Sequence, residues 1–450
     1  MEKVATPPAH AVSTRAERVG WYFYGWADHA FYTTVVAVVI APYIKGIAEA
    51  AADSDGKVHP LGLPISAGSF YPYVVSLSAL LSVVLLPLIG AIADRSHHKR
   101  VLLGIAAAIG VCANLGFFFV TGQRYLLGGA LFIIAIVSLG AAAVVYNSFL
   151  PQLAGPDRRD TVSSIGWSIG YIGGGLHLLL CLIAFQIYGS SGTVARWVMV
   201  SAAVWWAGFS ALSLVLLKDR EPVNVLPRPP RGRGGIYTAG FRQLGMTIRS
   251  LRKYPSTMLF LAAYLIYNDG IQTVISQASL YATKELGLST DVLAVTVLLI
   301  QFVAFGGALL LGALARRIGA WKTVLLSLVL WVAVVIAGFW LPEGAPVPFM
   351  ILGAAIGLVL GGSQALSRSL FSQLIPRGKE AEYFSFYAIA DKGMSWSGPL
   401  VFGIVYQVTN SYRAGLLALL VFFVVGFFIL LSVPMRQAIV AAGNVPPKVL

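Results

Sequence analysis

The stretch Gly90-Ala91-Ile92-Ala93-Asp94-Arg95-Ser96-His97-His98-Lys99-Arg100 is a short basic loop between two long apolar runs. It returns in altered form 222 positions later, as Gly312-Ala313-Leu314-Ala315-Arg316-Arg317-Ile318-Gly319-Ala320-Trp321-Lys322, again between apolar runs. A small loop loaded with cations crosses a bilayer only at high cost, so both copies are expected on the cytoplasmic side. A second pair of anchors, Ser148-Phe149-Leu150-Pro151-Gln152-Leu153 and Ser369-Leu370-Phe371-Ser372-Gln373-Leu374, repeats at an offset of 221. The chain therefore reads as two copies of one membrane unit.

Composition agrees. Of the 450 residues, 58% are hydrophobic and 11% charged, about half the charge of an ordinary soluble domain. A helix needs about 20 apolar residues to cross the hydrocarbon core. Twelve segments reach that length: 20–44, 69–93, 101–121, 125–149, 161–188, 194–217, 256–282, 290–315, 321–341, 347–375, 383–409 and 412–434. The expected fold is all-α and integral to the membrane, with twelve transmembrane helices in two pseudo-symmetric six-helix bundles. We expect an N-terminal tail at 1–19, a first bundle at 20–217, a linker at 218–254, a second bundle at 255–434 and a C-terminal tail at 435–450. An even number of spans puts both tails on one side, with the linker.

The linker opens with Pro222, Pro227, Pro229 and Pro230 among arginines and reads as extended. Its second half sets Phe241, Leu244, Ile248 and Leu251 at helical spacing, with Arg242, Arg249, Arg252 and Lys253 off the stripe. That pattern predicts a basic helix lying on the inner leaflet.

Net charge is +14 and the isoelectric point near 9.8, which raises the question of nucleic acid. The placement of the 32 lysines and arginines answers it. Only Lys45, Lys57, Arg124, Arg196, Lys284 and Arg413 fall in segments assigned outside and Arg368 and Lys392 within spans, leaving the rest cytoplasmic. This positive-inside bias explains the basic balance without nucleic acid. The first 20 residues lack an apolar core, so no cleaved signal peptide is expected. Cys112 and Cys181 fall in apolar runs with no metal or disulfide spacing, and no metal or cofactor is expected.

With these features in hand, the Gly90–Arg100 loop resembles the signature between spans two and three of the major facilitator superfamily. His97 stands where that family usually has glycine, and Arg316 replaces the acid in the second copy. By that resemblance Gly90, Asp94, Arg95, Lys99, Arg100 and Arg317 are conformational residues, with Asp94 alone available for a contact to span eleven. Four further stretches, Tyr24-Gly25-Trp26-Ala27-Asp28-His29-Ala30-Phe31, Tyr146-Asn147-Ser148-Phe149-Leu150-Pro151, Tyr267-Asn268-Asp269-Gly270-Ile271-Gln272-Thr273 and Gln364-Ala365-Leu366-Ser367-Arg368-Ser369, resemble the autophagy-related vacuole effluxer branch. The resemblance implies that spans one, four, seven and ten line a central path and, for eukaryotic members, export of neutral amino acids.

Ionic side chains inside spans are functional candidates by default, since each costs about 2.5 to 3.5 kcal/mol at a helix centre. Asp28, Asp269, Arg368, Asp391 and Lys392 qualify. Asp28, Asn147, Asp269 and Arg368 put one polar group on each cavity-lining span, a ring suited to a zwitterion. Arg368 is expected on a carboxylate and Asp269 on an amine or a proton, with His29, Asn268, Gln272 and Gln364 as neighbouring candidates. The alternative for Arg368 is a structural ion pair or gate with Asp391. Asp28 and His29 could equally serve as helix contacts. The run Gly166-x-x-x-Gly170-x-x-Gly173-Gly174-Gly175 predicts close helix approach on span five. Pro399 predicts a kink inside span eleven, while Trp21 and its neighbours read as interfacial anchors.

The expected function is a secondary transporter of a small polar solute, an amino acid or related zwitterion with efflux favoured, in the cell membrane and with a proton as the coupling candidate. A lipid flippase or transport-inactive sensor on the same fold is the alternative. No Gly-rich phosphate loop and no hydrolase or metalloprotease motif occurs in the sequence, which argues against an ATP-driven pump and against an enzyme. The sequence leaves the oligomeric state open.

Overall fold

A computed structural model describes residues 13–220, 253–392 and 397–450. Ten long helices occupy the first ten expected spans: α1 (Arg15–Ala50), α2 (Ala67–Arg95), α3 (Lys99–Phe119), α4 (Tyr125–Leu153), α5 (Pro156–Tyr188), α6 (Gly192–Leu216), α7 (Pro255–Glu285), α8 (Asp291–Ile318), α9 (Ala320–Phe339) and α10 (Pro346–Gln373). Span eleven is described in two helical stretches, α11 (Glu380–Lys392) and α12 (Ser397–Thr409), on either side of residues 393–396, which lie outside the described residues. Span twelve is α13 (Tyr412–Ser432), and a further helix, α14 (Met435–Ala441), follows. The expected interfacial helix in the linker lies outside the described residues, as do residues 1–12.

Local chemistry sets the helix ends. Thr14 and Glu17 form a reciprocal capping box at the start of α1: the Glu17 N–H donates to Thr14 Oγ1 at 3.2 Å and the Thr14 N–H to Glu17 Oε2 at 2.7 Å. Ser191 and Ser289 cap α6 and α8 in the same sense. α1 is not uniform. Its middle, Phe31–Val39, is wound as a π-helix, a winding often found at functional sites. The segment after α1 carries a two-stranded antiparallel hairpin, Lys57–Val58 (β1) with Ile65–Ser66 (β2), a small exception to the all-α expectation.

The buried apolar residues fall into two clusters. One gathers Trp21 through Leu217, the other Phe260 through Ile439, with only Tyr171, Ala381 and Ala388 crossing over. The repeated loop glycines mark two places where helices of opposite bundles come close. A Cβ on Gly90 would fall 2.5 Å from the Ala381 carbonyl oxygen, and one on Gly312 would fall 2.4 Å from Ser164 Oγ. The glycines on α5 act as expected, because Gly166, Gly170, Gly173 and Gly174 all face side chains of α1.

Hydrogen bonds between the bundles begin at the face carrying the Asp94–Lys99 loop. The Asp94 carboxylate accepts the N–H groups of Ala381 (2.9 Å) and Glu382 (2.8 Å) in the first turn of α11 and pairs with Lys99 Nζ at 3.2 Å. Arg159 donates to the Ser372 carbonyl at 2.8 Å, Ser369 Oγ to Asp160 Oδ1 at 2.5 Å, and Ser163 Oγ to the Ala365 carbonyl at 2.6 Å. Midway along the spans, Gln301 Nε2 donates to Thr33 Oγ1 at 2.9 Å. The inner half of span eleven, α11, packs on α2 and α4, whereas α12 packs on α7 and α13.

The C-terminal segment expected as a tail at 435–450 is packed against both bundles. Met435 and Ile439 are buried, Asn444 Nδ2 donates to the Gln373 (2.8 Å) and Ile375 (2.7 Å) carbonyls of the second bundle, and the Lys448 N–H donates to Asp157 Oδ1 of the first at 2.8 Å. The segment is thus a strap across the seam. Each such bond contributes about 1 kcal/mol. An Asn444→Ala protein should therefore expose the seam several times more often, read as faster alkylation of a cysteine placed at the buried Ser372.

Candidate functional site

The site centres on Arg368, whose α10 belongs to the second bundle while its head group lies in the first. Its Nε donates to Ser163 Oγ at 3.0 Å, its Nη2 to the Ser163 carbonyl at 2.9 Å and its Nη1 to Asn147 Oδ1 at 3.3 Å. The guanidinium carbon sits 4.8 Å from the Trp21 ring centroid, 5.3 Å from Trp167 and 5.8 Å from Tyr146. A buried cation survives when hydrogen-bonded and faced by π surfaces, and Arg368 has both. It is 4% exposed. In this conformation it is enclosed on the sealed side of the path, not presented to a solute. Of the two roles expected for it, the structural one describes this state, but its partners are Asn147 and Ser163, and the side chain of Asp391 lies outside the described residues.

Asp28 is within electrostatic reach of Arg368, Tyr24 and Tyr146. It bonds to His29 Nδ1 at 3.0 Å and stays 13% exposed. His29 is T-shaped against Trp167 and Tyr171. Asn147 and Arg368, repeat counterparts, therefore meet, and Asp28 lies in the same bundle as Asn147.

Asp269 does not complete the ring. Its Oδ2 accepts the Gly398 N–H at 2.7 Å and the Ser397 hydroxyl, both in α12, while Oδ1 has no partner among the described residues. Span seven thus uses its carboxylate to hold the outer half of span eleven. Pro399 follows Gly398 in α12, and the residues just before this stretch, 393–396, lie outside the described residues, as does any kink between α11 and α12. Asn268 Oδ1 accepts from Gln364 Nε2 at 2.7 Å, and Gln364 Oε1 accepts from Tyr264 at 3.4 Å, tying α7 to α10. Gln272 is half-buried on α7.

Among the loop candidates, Gly90, Asp94 and Lys99 form the cross-bundle contact. Arg100 does not: its N–H donates to Asp219 Oδ1 at 2.7 Å and its guanidinium to the Leu214 and Leu217 carbonyls, all in the first bundle, so it closes the end of α6. Arg95 ends α2 and Arg317 is exposed in the last turn of α8.

Sequence reasoning missed several partners. Trp21, expected as an interfacial anchor, is fully buried, stacks on Tyr146 at 4.6 Å and donates its Nε1 to the Tyr146 carbonyl at 2.9 Å. Ser163, Arg159 and Asp160 were also unmarked. Ionic residues beside Pro156 at the start of a span were the available signal. Among the described residues, no cluster of His, Cys, Asp and Glu could hold a metal.

Paired helical bundles, sealed at one face by a carboxylate on a helix start and an arginine from the opposite bundle, define a transporter of the major facilitator superfamily. The fold matches the crystal structures of the human organic anion transporter MFSD10 (TM-score 0.65, 16% identity, 92% of this chain and 99% of that one) and of the proton:xylose symporter XylE (TM-score 0.67, 14% identity, 93% and 95%). Residues 13–443 match the family described as Vacuole effluxer Atg22 like, and the chain belongs to it. It is 28% identical over 424 residues to the MFS-type transporter YxiO of Bacillus subtilis, covering 92% of this chain and 94% of that one. Autophagy-related protein 22 of Pyricularia oryzae is 27% identical over 499 residues, covering 89% and 73%.

Proposed function

We propose that this transporter moves an amino acid or a related zwitterion outward by alternating access, drawing on a proton or solute gradient. The carrying observation is the Arg368 seal within electrostatic reach of the partly exposed Asp28 carboxylate: when the bundles part, a guanidinium and a carboxylate become available on opposite walls of one path. A zwitterion answers both. The conformer described is closed at the basic-loop face, which we place in the cytoplasm on the strength of the cation bias. Both described ends lie on that face, since Ser13 Oγ donates to the Leu153 carbonyl and Asn444 bonds to the end of α10. We assign the protein to the cell membrane.

Proteoliposomes loaded with amino acids, dipeptides, organic acids or sugars test the solute. Zwitterion flux that exceeds all other classes supports the reading, and lipid flipping without solute flux would replace it. Cysteines at the exposed positions Arg15 and Lys448 should resist an impermeant reagent applied to intact cells, and ready labelling would reverse the orientation.

A further inference from the structure

The hydrogen-bond acceptors and the facing rings of the Arg368 head all belong to the bundle that does not contain it. Trp21 on α1, Tyr146 and Asn147 on α4, and Ser163 and Trp167 on α5 form a receptor whose central ring pair, Trp21 and Tyr146, is joined without Arg368. Trp21 and Tyr146 are stacked at an interplanar angle of 12° and joined by the Trp21 Nε1 bond, while Gly166 leaves the space. A Cβ there would fall 2.6 Å from the Trp21 ring and 3.3 Å from Arg368 Nη2. Three π faces and three neutral oxygen acceptors suit a cation. They suit a weakly hydrated, planar or alkylated one better than a small metal ion, whose water shell these groups cannot replace.

We propose that this cage is a binding site for organic monocations, guanidinium or alkylammonium, and that Arg368 is its resident ligand only while the basic-loop face is closed. When the bundles part, Arg368 leaves with α10 and the cage opens to that face. A soluble cation that fills it competes with Arg368 and holds the face open. The inference rests on alternating access but not on the amino-acid reading, because the cage recognises a cation whatever the transported solute.

Purified full-length Arg368→Ala protein, titrated with methylguanidinium, should show a saturable change in tryptophan fluorescence from Trp21 and Trp167. Half-saturation should come at a concentration at least about tenfold below any response of the unsubstituted protein. Urea, planar but neutral, should do nothing, and adding Trp21→Leu should abolish the response. The second measurement keeps Arg368 in place: methylguanidinium should speed alkylation of a cysteine at Ser372, and urea should not. Equal titration of both proteins, an equal effect of urea, or unchanged Ser372→Cys alkylation would overturn the proposal. None of these readouts requires flux, so failure of the amino-acid reading would leave them unaffected.

Discussion

Asp94→Ala protein should label at a Ser372 cysteine at least about tenfold faster than its parent, and its solute flux should fall because the closed state no longer dominates. Asp94 accepts two N–H groups at the start of α11 and neutralises Lys99, which is 5% exposed. Charge-assisted bonds of this kind contribute about 1.5 to 3 kcal/mol each, and the abandoned lysine adds the cost of an unpaired buried charge. A shift of that size moves a two-state equilibrium by two orders of magnitude or more. Asp94→Asn retains one acceptor and should lie between the two. Unchanged labelling in Asp94→Ala would mean that the α5–α10 bonds seal the face alone.

Gly307→Ala should lower the melting temperature by several degrees, while Gly306→Ala, one residue away on the same helix, should leave it level or slightly higher. A Cβ at Gly307 would sit 2.2 Å from the Leu358 carbonyl oxygen, and one at Gly306 meets nothing within 4 Å. Backbone cannot yield as a side chain can, so the first change is overpacking, at a cost of about 1 to 3 kcal/mol. The second exchanges glycine for a better helix former, worth up to about 1 kcal/mol. The same seam continues through Gly357 and Gly361, whose Cβ positions fall 2.7 and 2.1 Å from the carbonyl oxygens of Ile300 and Ala304. Leucine at Gly307 should prevent α8 and α10 from assembling at all. Similar melting of both alanine variants would show that this seam relaxes more readily than its geometry implies.

The duplicated membrane unit was legible because a basic loop is expensive to translocate and its glycine cannot be spared: Gly90 and Gly312 each sit where two bundles cross. The Asn147–Arg368 pairing was half legible, since the repeat register names them as counterparts but does not say that they touch. Other features depend on how each helix is rotated, which composition does not encode. Asp269 could face the path or its neighbour, and it faces Ser397 and Gly398 of α12. An aromatic residue near a span end has a ready explanation at the membrane interface, and that concealed the burial of Trp21. The spacing Gly353-x-x-x-Gly357-x-x-x-Gly361 carried the α8–α10 seam openly, in the same pattern noted for α5. The strap had no such sign, because a stretch too short and too interrupted by Gly443, Pro446 and Pro447 to span a membrane shows no partner surface in its own sequence.

The π-wound middle of α1 acts as a dislocation in that helix. Its carbonyls reach the fifth residue along instead of the fourth, so side chains beyond Phe31 lose phase with those before it. Within that stretch Thr33 accepts from Gln301 on α8 and Thr34 bonds to His177 on α5, each at 2.9 Å. A helical wheel drawn straight through α1 assigns the wrong faces to its outer third, and cysteine scans along it are better indexed in two separate frames.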